Sequence, residues 1–456
     1  MASFCLDDTI VALSTPLGVG GIGIVRLSGP ASREIALRLF RPSDRAARPL
    51  APYRLTHGHI VDPATGRRVD EVLASYMASP RSYTRQDVVE INAHGGPVAT
   101  RAILDLCLAA GARPALEGEF TLRAFLNGRL DLAQAEAVLD VIGARTEGSL
   151  RVAVDQLDGR LSERVRAVRQ PLLEALAYLE ASVDFPEDVP PRDIGPALTE
   201  AVEALGELLR EADQGLVYRE GVRTAIVGRP NVGKSSLLNA LLRADRAIVT
   251  PIPGTTRDTL EETCNVQGIP LVLVDTAGIT ETDDLIERLG IARSERAVAQ
   301  ADLVLLVFDG SAAATDADRQ VASRCVNKRS VVVVNKGDLP VVDDMAGLLP
   351  DAPHITVSAL TGEGLAALET LLVETILGGA RSHGAPPVAS NPRHRDAFRR
   401  ALESVREAQN ALQTGVPADL QAIDLAETVQ ALGEVTGESA SDALLETIFS
   451  QFCIGK

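Results

Sequence analysis

The sequence predicts a multidomain fold with an N-terminal α+β domain, an all-α helical domain, and an α/β domain inserted into the helical one. Three changes of pattern along the chain indicate this arrangement. Up to about residue 118 the chain is rich in glycine and short alternating strands, and helical periodicity then continues to about residue 216. From Val222 to about Leu377 strands and helices alternate, which is typical of a doubly wound parallel sheet. Helical periodicity resumes after a linker rich in Gly, Pro and Ser at residues 378–392.

These patterns set the expected domain boundaries. We expect residues 1–118 to form the first domain and residues 219–378 the inserted domain. The helical domain is then built from two parts, residues 119–218 and 379–456. The elements that define these domains are strands at Ile22–Leu27 and Val88–Asn92, and helices at Val98–Ala110, Leu130–Leu139, Pro171–Leu179, Arg395–Gln413 and Asp419–Thr436, with a proline-rich break at Pro186–Pro196.

Bulk composition limits the class of protein. A chain of 456 residues with 46% hydrophobic and 23% charged residues is globular and long enough for two to four domains. The net charge of −17 argues against a large, non-specific nucleic-acid surface, although a local patch or a basic companion protein could still bind RNA. The five cysteines are scattered without a CxxC pair, which disfavours disulfides and structural zinc and indicates a reducing, cytoplasmic location. The N-terminus lacks the positive charge of a signal peptide, and apolar runs such as Leu303–Phe308 are too short to span a bilayer.

A phosphate-binding loop opens the inserted domain. Gly228–Ser235 fits the pattern GxxxxGK[ST], between a predicted strand at Thr224–Val227 and a predicted helix at Ser236–Leu242. Glycines in such a loop let backbone N–H groups turn toward phosphate oxygens, and Lys234 reaches the β- and γ-phosphates as a catalytic residue. The loop alone indicates a nucleoside triphosphate.

A second motif specifies guanine. Asn335-Lys-Gly-Asp338 follows a predicted strand, and the carboxylate of Asp338 can accept two N–H donors from the Watson–Crick edge of guanine. Adenine does not offer that pair of donors. Ser358 and Ala359, after another short strand, add backbone contacts to the base. The inserted domain is therefore predicted to be an α/β P-loop GTPase domain.

Two further motifs lie between these and supply the magnesium site. Mg²⁺ needs hard oxygen ligands, and we expect the hydroxyls of Ser235 and Thr256, the latter within Gly254-Thr-Thr-Arg257, to bind it. Asp275, which begins Asp275-Thr-Ala-Gly278, contributes through water. The predicted GTP-binding residues are Asn231, Val232, Gly233, Lys234, Ser235, Ser236, Thr250, Thr255, Thr256, Asp275, Thr276, Ala277, Gly278, Asn335, Lys336, Asp338, Ser358 and Ala359.

Two groups that support hydrolysis in Ras-type enzymes are not found at their usual positions. Ile279 stands where a glutamine would orient the attacking water, and the acidic stretch Glu281–Glu287 is the nearest substitute, although most of it suits a solvated start of a helix. Arg229 and Arg257 are candidates for the arginine finger by position. The alternative is Asn231, whose carbonyl could hold a monovalent cation against the phosphates, or which could simply form a turn.

The chain resembles the MnmE (TrmE) family of bacterial tRNA-modification GTPases over essentially its full length. The stretches that carry the resemblance are Gly20–Ser28, Asp87–Pro97, Phe125–Glu136, Asp184-Phe-Pro186 and the terminal Phe452-Cys-Ile-Gly-Lys456. The resemblance implies a cytoplasmic homodimer formed through the N-terminal domain. It also implies an FAD- and NADH-using partner, MnmG, with which the family installs an aminomethyl-type group at C5 of the wobble uridine of certain tRNAs, the tRNA being bound through the complex.

The resemblance also implies roles for individual residues. Potassium is expected in place of the arginine finger, and Glu287 is expected to position the catalytic water. The potassium ligands map onto Asn231, Thr250, Ile252 and Thr255. A 5-formyltetrahydrofolate or related reduced folate is expected to contact Arg26, Glu90, Arg129 and Lys456. Arg129 replaces a lysine of the family and keeps its charge with a different geometry.

Other motifs are better explained without a functional site. Gly18-Val-Gly-Gly-Ile-Gly23 matches a dinucleotide-binding pattern, but we expect no strand before it and a strand where a helix is required after it. His57 and His59 have no third metal ligand nearby in sequence. The basic run Arg393–Arg400 suits a solvated helix start better than an RNA contact, and Cys453 is expected to be a packing residue more than a nucleophile.

Two other functions compete with that of a tRNA-modification GTPase. A ribosome-assembly GTPase of the Era or Der type would end in an RNA-binding KH domain or carry two GTPase domains, and a single P-loop with a helical C-terminus disfavours both. A folate-dependent one-carbon transferase with the GTPase as its regulator fits the predicted folate contacts equally well.

Overall fold

The computed structural model describes residues 6–44, 50–244, 262–274, 296–342, 345–378 and 387–456. The chain divides into two compact units. The first joins residues 1–139 with residues 433–456, and the second comprises residues 140–432.

A seven-stranded sheet forms the centre of the first unit, in the order β3-β4-β5-β6-β2-β1-β7. Neighbouring strands are antiparallel except β1 and β7, which are parallel. The strands are β1 (Ile10–Leu13), β2 (Ile22–Ser28), β3 (Phe40–Pro42), β4 (Leu55–Val61), β5 (Arg68–Met77), β6 (Val88–His94) and β7 (Arg113–Pro114). The helices that accompany them are α1 (Ser32–Leu39), α2 (Pro97–Ala109), α3 (Glu119–Leu126) and α4 (Leu132–Gly143). The predicted α+β character of this part of the chain is confirmed.

Alternation along the strands builds the core of this unit. Val25 on β2 lies opposite Ile91 on β6, which in turn lies opposite Ala74 on β5. All three side chains are fully buried and belong to one core cluster with residues of α1 and α2. Successive side chains of a strand point to opposite faces of a sheet. The residues next to each of these three along its strand therefore face the other side of the sheet.

The C-terminal tail belongs to the same unit. After α13 (Asp442–Phe449), Phe452 is buried with Leu122 and Leu132 in a second core cluster. The carbonyl of Lys456 accepts a hydrogen bond from the N–H of Phe120 at 3.2 Å, and that of Gly455 accepts one from the hydroxyl of Ser14 at 3.1 Å. These contacts place the last residues of the chain beside β1 and the start of α3.

The second unit contains long helices on both sides of the α/β segment in sequence. The helices are α5 (Glu147–Leu157), α6 (Arg160–Asp184), α7 (Gly195–Glu220), α11 (Pro392–Gln413) and α12 (Ala418–Thr436). Helix α7 ends where the α/β segment begins, and α11 starts after it and packs along α7. The helical domain is therefore split in sequence, and α11 begins at Pro392, three residues before the predicted Arg395, with Asn391 as its N-cap.

A close backbone contact in this helix pair gives a sharp test of the packing. A Cβ atom on Gly215 of α7 would lie 1.7 Å from the carbonyl oxygen of Ala389, whereas one on Gly206 of the same helix would meet no atom within 4 Å. We expect Gly215→Ala to lower the free energy of unfolding by about 1–3 kcal/mol, because backbone must move to admit the methyl group. The matched variant Gly206→Ala should raise it by about 0.5–1 kcal/mol, since alanine restricts the unfolded chain. Urea unfolding followed by circular dichroism measures both, and equal effects would contradict this packing.

The α/β part of the second unit is a six-stranded sheet in the order β13-β12-β11-β8-β10-β9. All pairs are parallel except β9 with β10, which are antiparallel. The strands are β8 (Val222–Val227), β9 (Glu262–Val266), β10 (Ile269–Leu273), β11 (Leu303–Asp309), β12 (Ser330–Asn335) and β13 (His354–Thr356). The described helices are α8 (Lys234–Ala244), α9 (Asp316–Ser323), a 3₁₀ turn at Met345–Leu348, and α10 (Leu365–Ile376).

Both faces of this sheet are covered by apolar side chains. Along β11, Leu305 and Val307 belong to the core cluster on one face, whereas Leu306 and Phe308 belong to the cluster on the other. A strand buried on both faces reads as a continuous hydrophobic run, which explains the run in the sequence. The predicted doubly wound α/β domain is confirmed, and its loops at the carboxyl ends of β8, β11 and β12 converge on one edge.

Candidate functional site

The predicted phosphate-binding loop connects β8 to α8. Asn231 has a left-handed backbone with φ of 66°, and Gly233 has φ of 96°. A Cβ atom on Gly233 would lie 2.2 Å from the side-chain nitrogen of Asn335, so only glycine fits this close approach. The loop therefore has the tight turn that phosphate binding through backbone N–H groups requires.

Lys234 begins α8 and folds back over the loop. Its Nζ donates hydrogen bonds to the carbonyl oxygens of Gly228 and Arg229, each at 2.9 Å. Burial lowers the pKa of Lys234, because the charged ammonium loses solvation. Ser235 follows on the first helical turn, which gives a hard hydroxyl donor beside the ammonium, so this donor set fits Mg²⁺ together with a phosphate.

Asn335 joins three loops rather than facing outward. Only 3% of it is exposed. Its side-chain nitrogen donates to the carbonyl of Val232 at 2.9 Å, and its side-chain oxygen accepts from the N–H of Ala359 at 3.0 Å. Asn335 thereby ties the P-loop to the loop that carries Ser358 and Ala359, which brings together three groups of predicted GTP-binding residues.

Asp338 has its carboxylate oriented by a neighbouring loop. The hydroxyl of buried Ser358 donates to Asp338 Oδ1 at 2.6 Å and accepts from the N–H of Thr361 at 3.1 Å. A carboxylate oxygen has two lone pairs, so this bond fixes the carboxylate while it leaves acceptor capacity for guanine. The role of Ser358 in orienting Asp338 was not predicted from the sequence.

Two buried carboxylates flank Arg229 of the P-loop. Its Nε lies 3.2 Å from Asp318 of α9, and its terminal nitrogen lies 4.0 Å from Asp309 at the end of β11. Both acids are less than 10% exposed. Because these two carboxylates attract the guanidinium toward α9 and β11, they disfavour Arg229 as the source of an arginine finger.

Nine of the twenty residues predicted to bind GTP, its ions or the catalytic water lie outside the described residues. These predictions are Thr250, Ile252, Thr255, Thr256, Asp275, Thr276, Ala277, Gly278 and Glu287. The second magnesium ligand, three of the four potassium ligands and the water-positioning glutamate therefore stay predictions. Among the described members, Val232 is buried and Ser236 is exposed.

The four predicted folate contacts come together in the first unit. Arg26 on β2 lies opposite Glu90 on β6, and the two side chains form an ion pair at 2.8 Å. Arg26 also donates to the carbonyl of Gly455 at 3.3 Å, and its charge acts on Lys456. The pKa of Lys456 is lowered mainly by burial and, to a smaller extent, by the positive charge of Arg26.

An aromatic side chain links the fourth contact to the others. The guanidinium of Arg129 lies 4.7 Å from the ring centroid of Tyr83, and that of Arg26 lies 6.0 Å from the same ring. Two guanidinium groups therefore lie near one aromatic ring, and their positive charge suits an anionic ligand. Tyr83 could not be predicted from the sequence, because no motif marks an isolated tyrosine in a loop.

The remaining motifs acquire an explanation in the structure. The expectation that no strand precedes Gly18–Gly23 is wrong, because β1 ends at Leu13 and only four residues separate it from the motif. However, β2 follows where a dinucleotide site needs a helix. His57 is exposed and pairs with Glu71 at 2.7 Å. In the described ranges no three His, Cys, Asp or Glu side chains group as metal ligands.

The basic run at the start of α11 is neutralised by acids. Arg395 pairs with Asp213, while Arg399 and Arg400 both pair with Asp396, at 2.7 Å and 3.1 Å respectively. Arginines that are paired with carboxylates in this way attract phosphate weakly, which agrees with the prediction of a solvated helix start.

Burial makes two of the cysteines unreactive. It raises the pKa of Cys107 and of Cys264 to about 12, so neither thiol ionises near neutral pH. Cys453, close to Lys456 in the tail, is exposed.

Within the described part of the chain, no helix has the length and apolar character needed to cross a membrane.

A P-loop and a guanine motif on a doubly wound sheet define the class of this protein, a P-loop GTPase. A family described as the MnmE helical domain matches residues 132–453, and one described as the GTP-binding protein TrmE N-terminus matches residues 9–129. The chain belongs to the MnmE family of tRNA modification GTPases. It is a GTP hydrolase that acts in tRNA modification.

Curated relatives match along the whole chain. A tRNA modification GTPase MnmE of Roseiflexus castenholzii is 53% identical over 466 residues, covering 99% of each chain. Those of Chloroflexus aurantiacus and Geobacter sulfurreducens are 50% and 47% identical, each covering 99% of this chain and 100% of the relative. Among solved structures, the G domain of the T. maritima FeoB iron transporter is 27% identical over 34% of this chain and 98% of its own, with a TM-score of 0.25.

Proposed function

We propose that this chain hydrolyses GTP to drive addition of an aminomethyl-type group at C5 of the wobble uridine of certain tRNAs. It would act in the cytoplasm as a homodimer with an FAD-dependent partner of the MnmG type, which brings the tRNA into the complex. The observation that carries the proposal is the cluster of Arg26, Glu90, Arg129 and Lys456, in a compact unit other than the one that holds the P-loop. Separate sites for a one-carbon donor and for GTP suit a modification reaction powered by nucleotide turnover.

The residues of the cluster fit a reduced formyl-folate. The carboxylate of Glu90 can accept N–H donors from a pterin edge, and the Arg26 ion pair holds it in place at 2.8 Å. The cations Arg129 and Lys456 suit the acidic tail or the ring oxygens of such a ligand. When bound, the folate would supply the one-carbon unit.

The proposed GTP site combines residues that the structure describes with residues that lie outside the described part of the chain. Lys234 offers charge to the β- and γ-phosphates, and Ser235 and Thr256 would hold magnesium. Glu287 would orient the attacking water. Asn231, Thr250, Ile252 and Thr255 would hold potassium, which would replace an arginine finger. The contacts of Arg229 with Asp309 and Asp318 support this, because they engage the arginine of the P-loop itself.

Modification of tRNA tests the proposal as a whole. Mass spectrometry of wobble uridines should show loss of the C5 substituent in cells that lack the chain and its return with the wild type. Glu287→Ala should bind GTP but fail to restore the substituent, because only water orientation is removed, whereas Glu281→Ala should restore it. Full restoration by Glu287→Ala would favour the one-carbon transferase with a regulatory GTPase.

Two further measurements test the ion and the oligomeric state. Equal rates of GTP hydrolysis in potassium and in sodium would contradict the potassium site. A monomeric mass in light scattering would contradict the homodimer.

The folate site has its own prediction. We expect Arg129→Ala to weaken binding of 5-formyltetrahydrofolate to the full-length protein by about tenfold or more, because it removes a cation stacked on Tyr83. Arg33→Ala is the matched control, since Arg33 stacks on Tyr76 in the same unit at 5.4 Å. Isothermal titration calorimetry measures both variants. Equal affinity of Arg129→Ala and the wild type would exclude Arg129 from the site.

A further inference from the structure

Asp309 is a buried carboxylate that lies between the two nucleotide-binding motifs without belonging to either. It ends β11 and is only 7% exposed. Its Oδ1 accepts hydrogen bonds from the N–H of Ser311 at 3.0 Å and from the hydroxyl of Ser311 at 2.6 Å. Its Oδ2 lies 2.7 Å from Nζ of Lys336 and 4.0 Å from Arg229. One carboxylate thus faces a cation of the guanine motif and a cation of the P-loop.

Lys336 needs an anchor because its backbone is in an uncommon conformation. Its φ is 67°, in the left-handed region that residues other than glycine rarely occupy. This residue connects Asn335, which is tied to the P-loop, to Asp338, which is oriented toward the base. Such a conformation persists only where the surroundings hold it. The carbonyl of Lys336 accepts a hydrogen bond from the N–H of Leu339 at 3.0 Å, and the ion pair with Asp309 adds the strong side-chain contact.

Arg229 connects the same carboxylate to the phosphate-binding loop. The carbonyl of Arg229 accepts a hydrogen bond from Nζ of Lys234, and its guanidinium faces both Asp309 and Asp318. Burial alone would raise the pKa of Asp309, but hydrogen bonds from Lys336 and Ser311 hold it below its usual range. Asp309 is therefore charged at neutral pH and attracts both cations.

We propose that Asp309 is a positioning residue that sets the guanine-recognition loop at the correct distance from the P-loop, so that one GTP molecule can engage both. This inference rests on the proposed assignment of Asp338 to guanine and of Lys234 to phosphate. Asp309 contacts neither the base nor the reacting phosphate in this scheme. Its loss should weaken binding of the ground state and of the transition state alike, and should leave turnover by the bound nucleotide nearly intact.

The direct test is Asp309→Asn in the full-length chain. Asparagine keeps the shape and the acceptor for Ser311, but leaves Lys336 without its anion. We expect the Kd for fluorescently labelled GDP and the KM for GTP to rise tenfold or more, while kcat changes by less than about threefold. Asp316→Asn is the control, because Asp316 is an exposed carboxylate on α9 that pairs only loosely with Arg319, at 3.6 Å. Wild-type affinity of Asp309→Asn, or an equal effect of the control, overturns the proposal.

A double-mutant cycle shows whether Asp309 acts through Lys336. Combining Asp309→Asn with Lys336→Met should weaken GDP binding no further than Lys336→Met alone, since both changes remove the same ion pair. Fully additive losses would overturn the positioning role. If Asp309→Asn does not fold, Ser311→Ala answers the same question. It removes the hydroxyl hydrogen bond to Oδ1 of Asp309, keeps the bond from the backbone N–H, and should raise the Kd about threefold, so unchanged binding by Ser311→Ala would also overturn the proposal.

A parallel measurement separates this inference from the proposed nucleotide site. If Asp338→Asn leaves the preference for guanine unchanged, the assignment of the site itself fails. If Asp338→Asn alters that preference while Asp309→Asn binds GDP normally, only the positioning role of Asp309 fails.

Discussion

Asp338→Asn should lower the affinity for GTP by about 10²–10⁴-fold and create a preference for xanthosine triphosphate. A carboxylate can accept two N–H donors of guanine, and each hydrogen bond to a charged group contributes about 1.5–3 kcal/mol. Asparagine offers an N–H where guanine also offers one, so the pairing is lost. The 2-oxo group of xanthine can accept from that same amide, which restores the pairing.

The structure explains why this effect should be large at Asp338. Its Oδ1 already accepts from the hydroxyl of Ser358 at 2.6 Å, so the side chain is held in one orientation before the base binds. A preorganised acceptor loses little conformational entropy on binding, and its removal therefore costs nearly the full interaction.

Competition between labelled GTP and labelled xanthosine triphosphate measures the switch. Glu363→Gln is the matched control, because Glu363 is an exposed carboxylate in the loop after Ser358. We expect it to bind both nucleotides as the wild type does. An unchanged nucleotide preference in Asp338→Asn would remove Asp338 from guanine recognition.

Local signals explain why the α/β domain could be predicted. The strand before the P-loop and the helix after it are marked by a buried apolar run and by an amphipathic one, and both are found, as β8 and α8. The P-loop and the guanine motif need particular residues at fixed spacing, so short stretches of sequence are enough to find them.

Side chains that act from a distance in sequence could not be predicted in this way. Asp309 ends a buried strand and resembles an ordinary turn residue in sequence. Only the pairing of β11 with β12 places it against Lys336. Tyr83 belongs to the candidate site only because the guanidinium groups of Arg26 and Arg129, from separate segments of the chain, lie near its ring. The strand β1 was missed before the glycine-rich loop because its run of four residues is too short for a clear period.

A buried ionic network in the first unit provides the second large expected effect. Glu119 and Arg123 on α3 are 4% and 1% exposed, and they form an ion pair at 2.9 Å. Arg113 on β7 donates to Glu119 at 2.6 Å and to Asp8 at 2.7 Å. Arg123 also pairs with Asp8 and donates to the side-chain oxygen of Gln86 at 3.0 Å. One network therefore joins the N-terminal segment, an edge strand, a loop and a helix.

Removing its central carboxylate should destabilise the first unit strongly. We expect Glu119→Ala to lower the local free energy of unfolding by about 3–5 kcal/mol, because Arg123 would lose a buried partner and keep its charge. Glu117→Ala is the control, since Glu117 is exposed two residues earlier in the chain. Hydrogen exchange followed by mass spectrometry reports the change separately for peptides from each unit. Equal protection in Glu119→Ala and Glu117→Ala would show that the network contributes nothing net.

The same network makes the first unit sensitive to acid. Burial alone would raise the pKa of Glu119 and of Asp8, but hydrogen bonds from Arg113 and Arg123 hold both below their usual values. A carboxyl group with a lowered folded-state pKa stabilises the protein fully above its unfolded pKa of about 4, and this stabilisation is lost as the pH falls toward the folded-state value. We therefore expect exchange protection of the first unit to fall as the pH drops below about 5. Glu119→Gln, which cannot titrate, should flatten that decline even though it starts from a lower stability. An equally steep decline in Glu119→Gln would show that other carboxyl groups set the acid sensitivity of this unit.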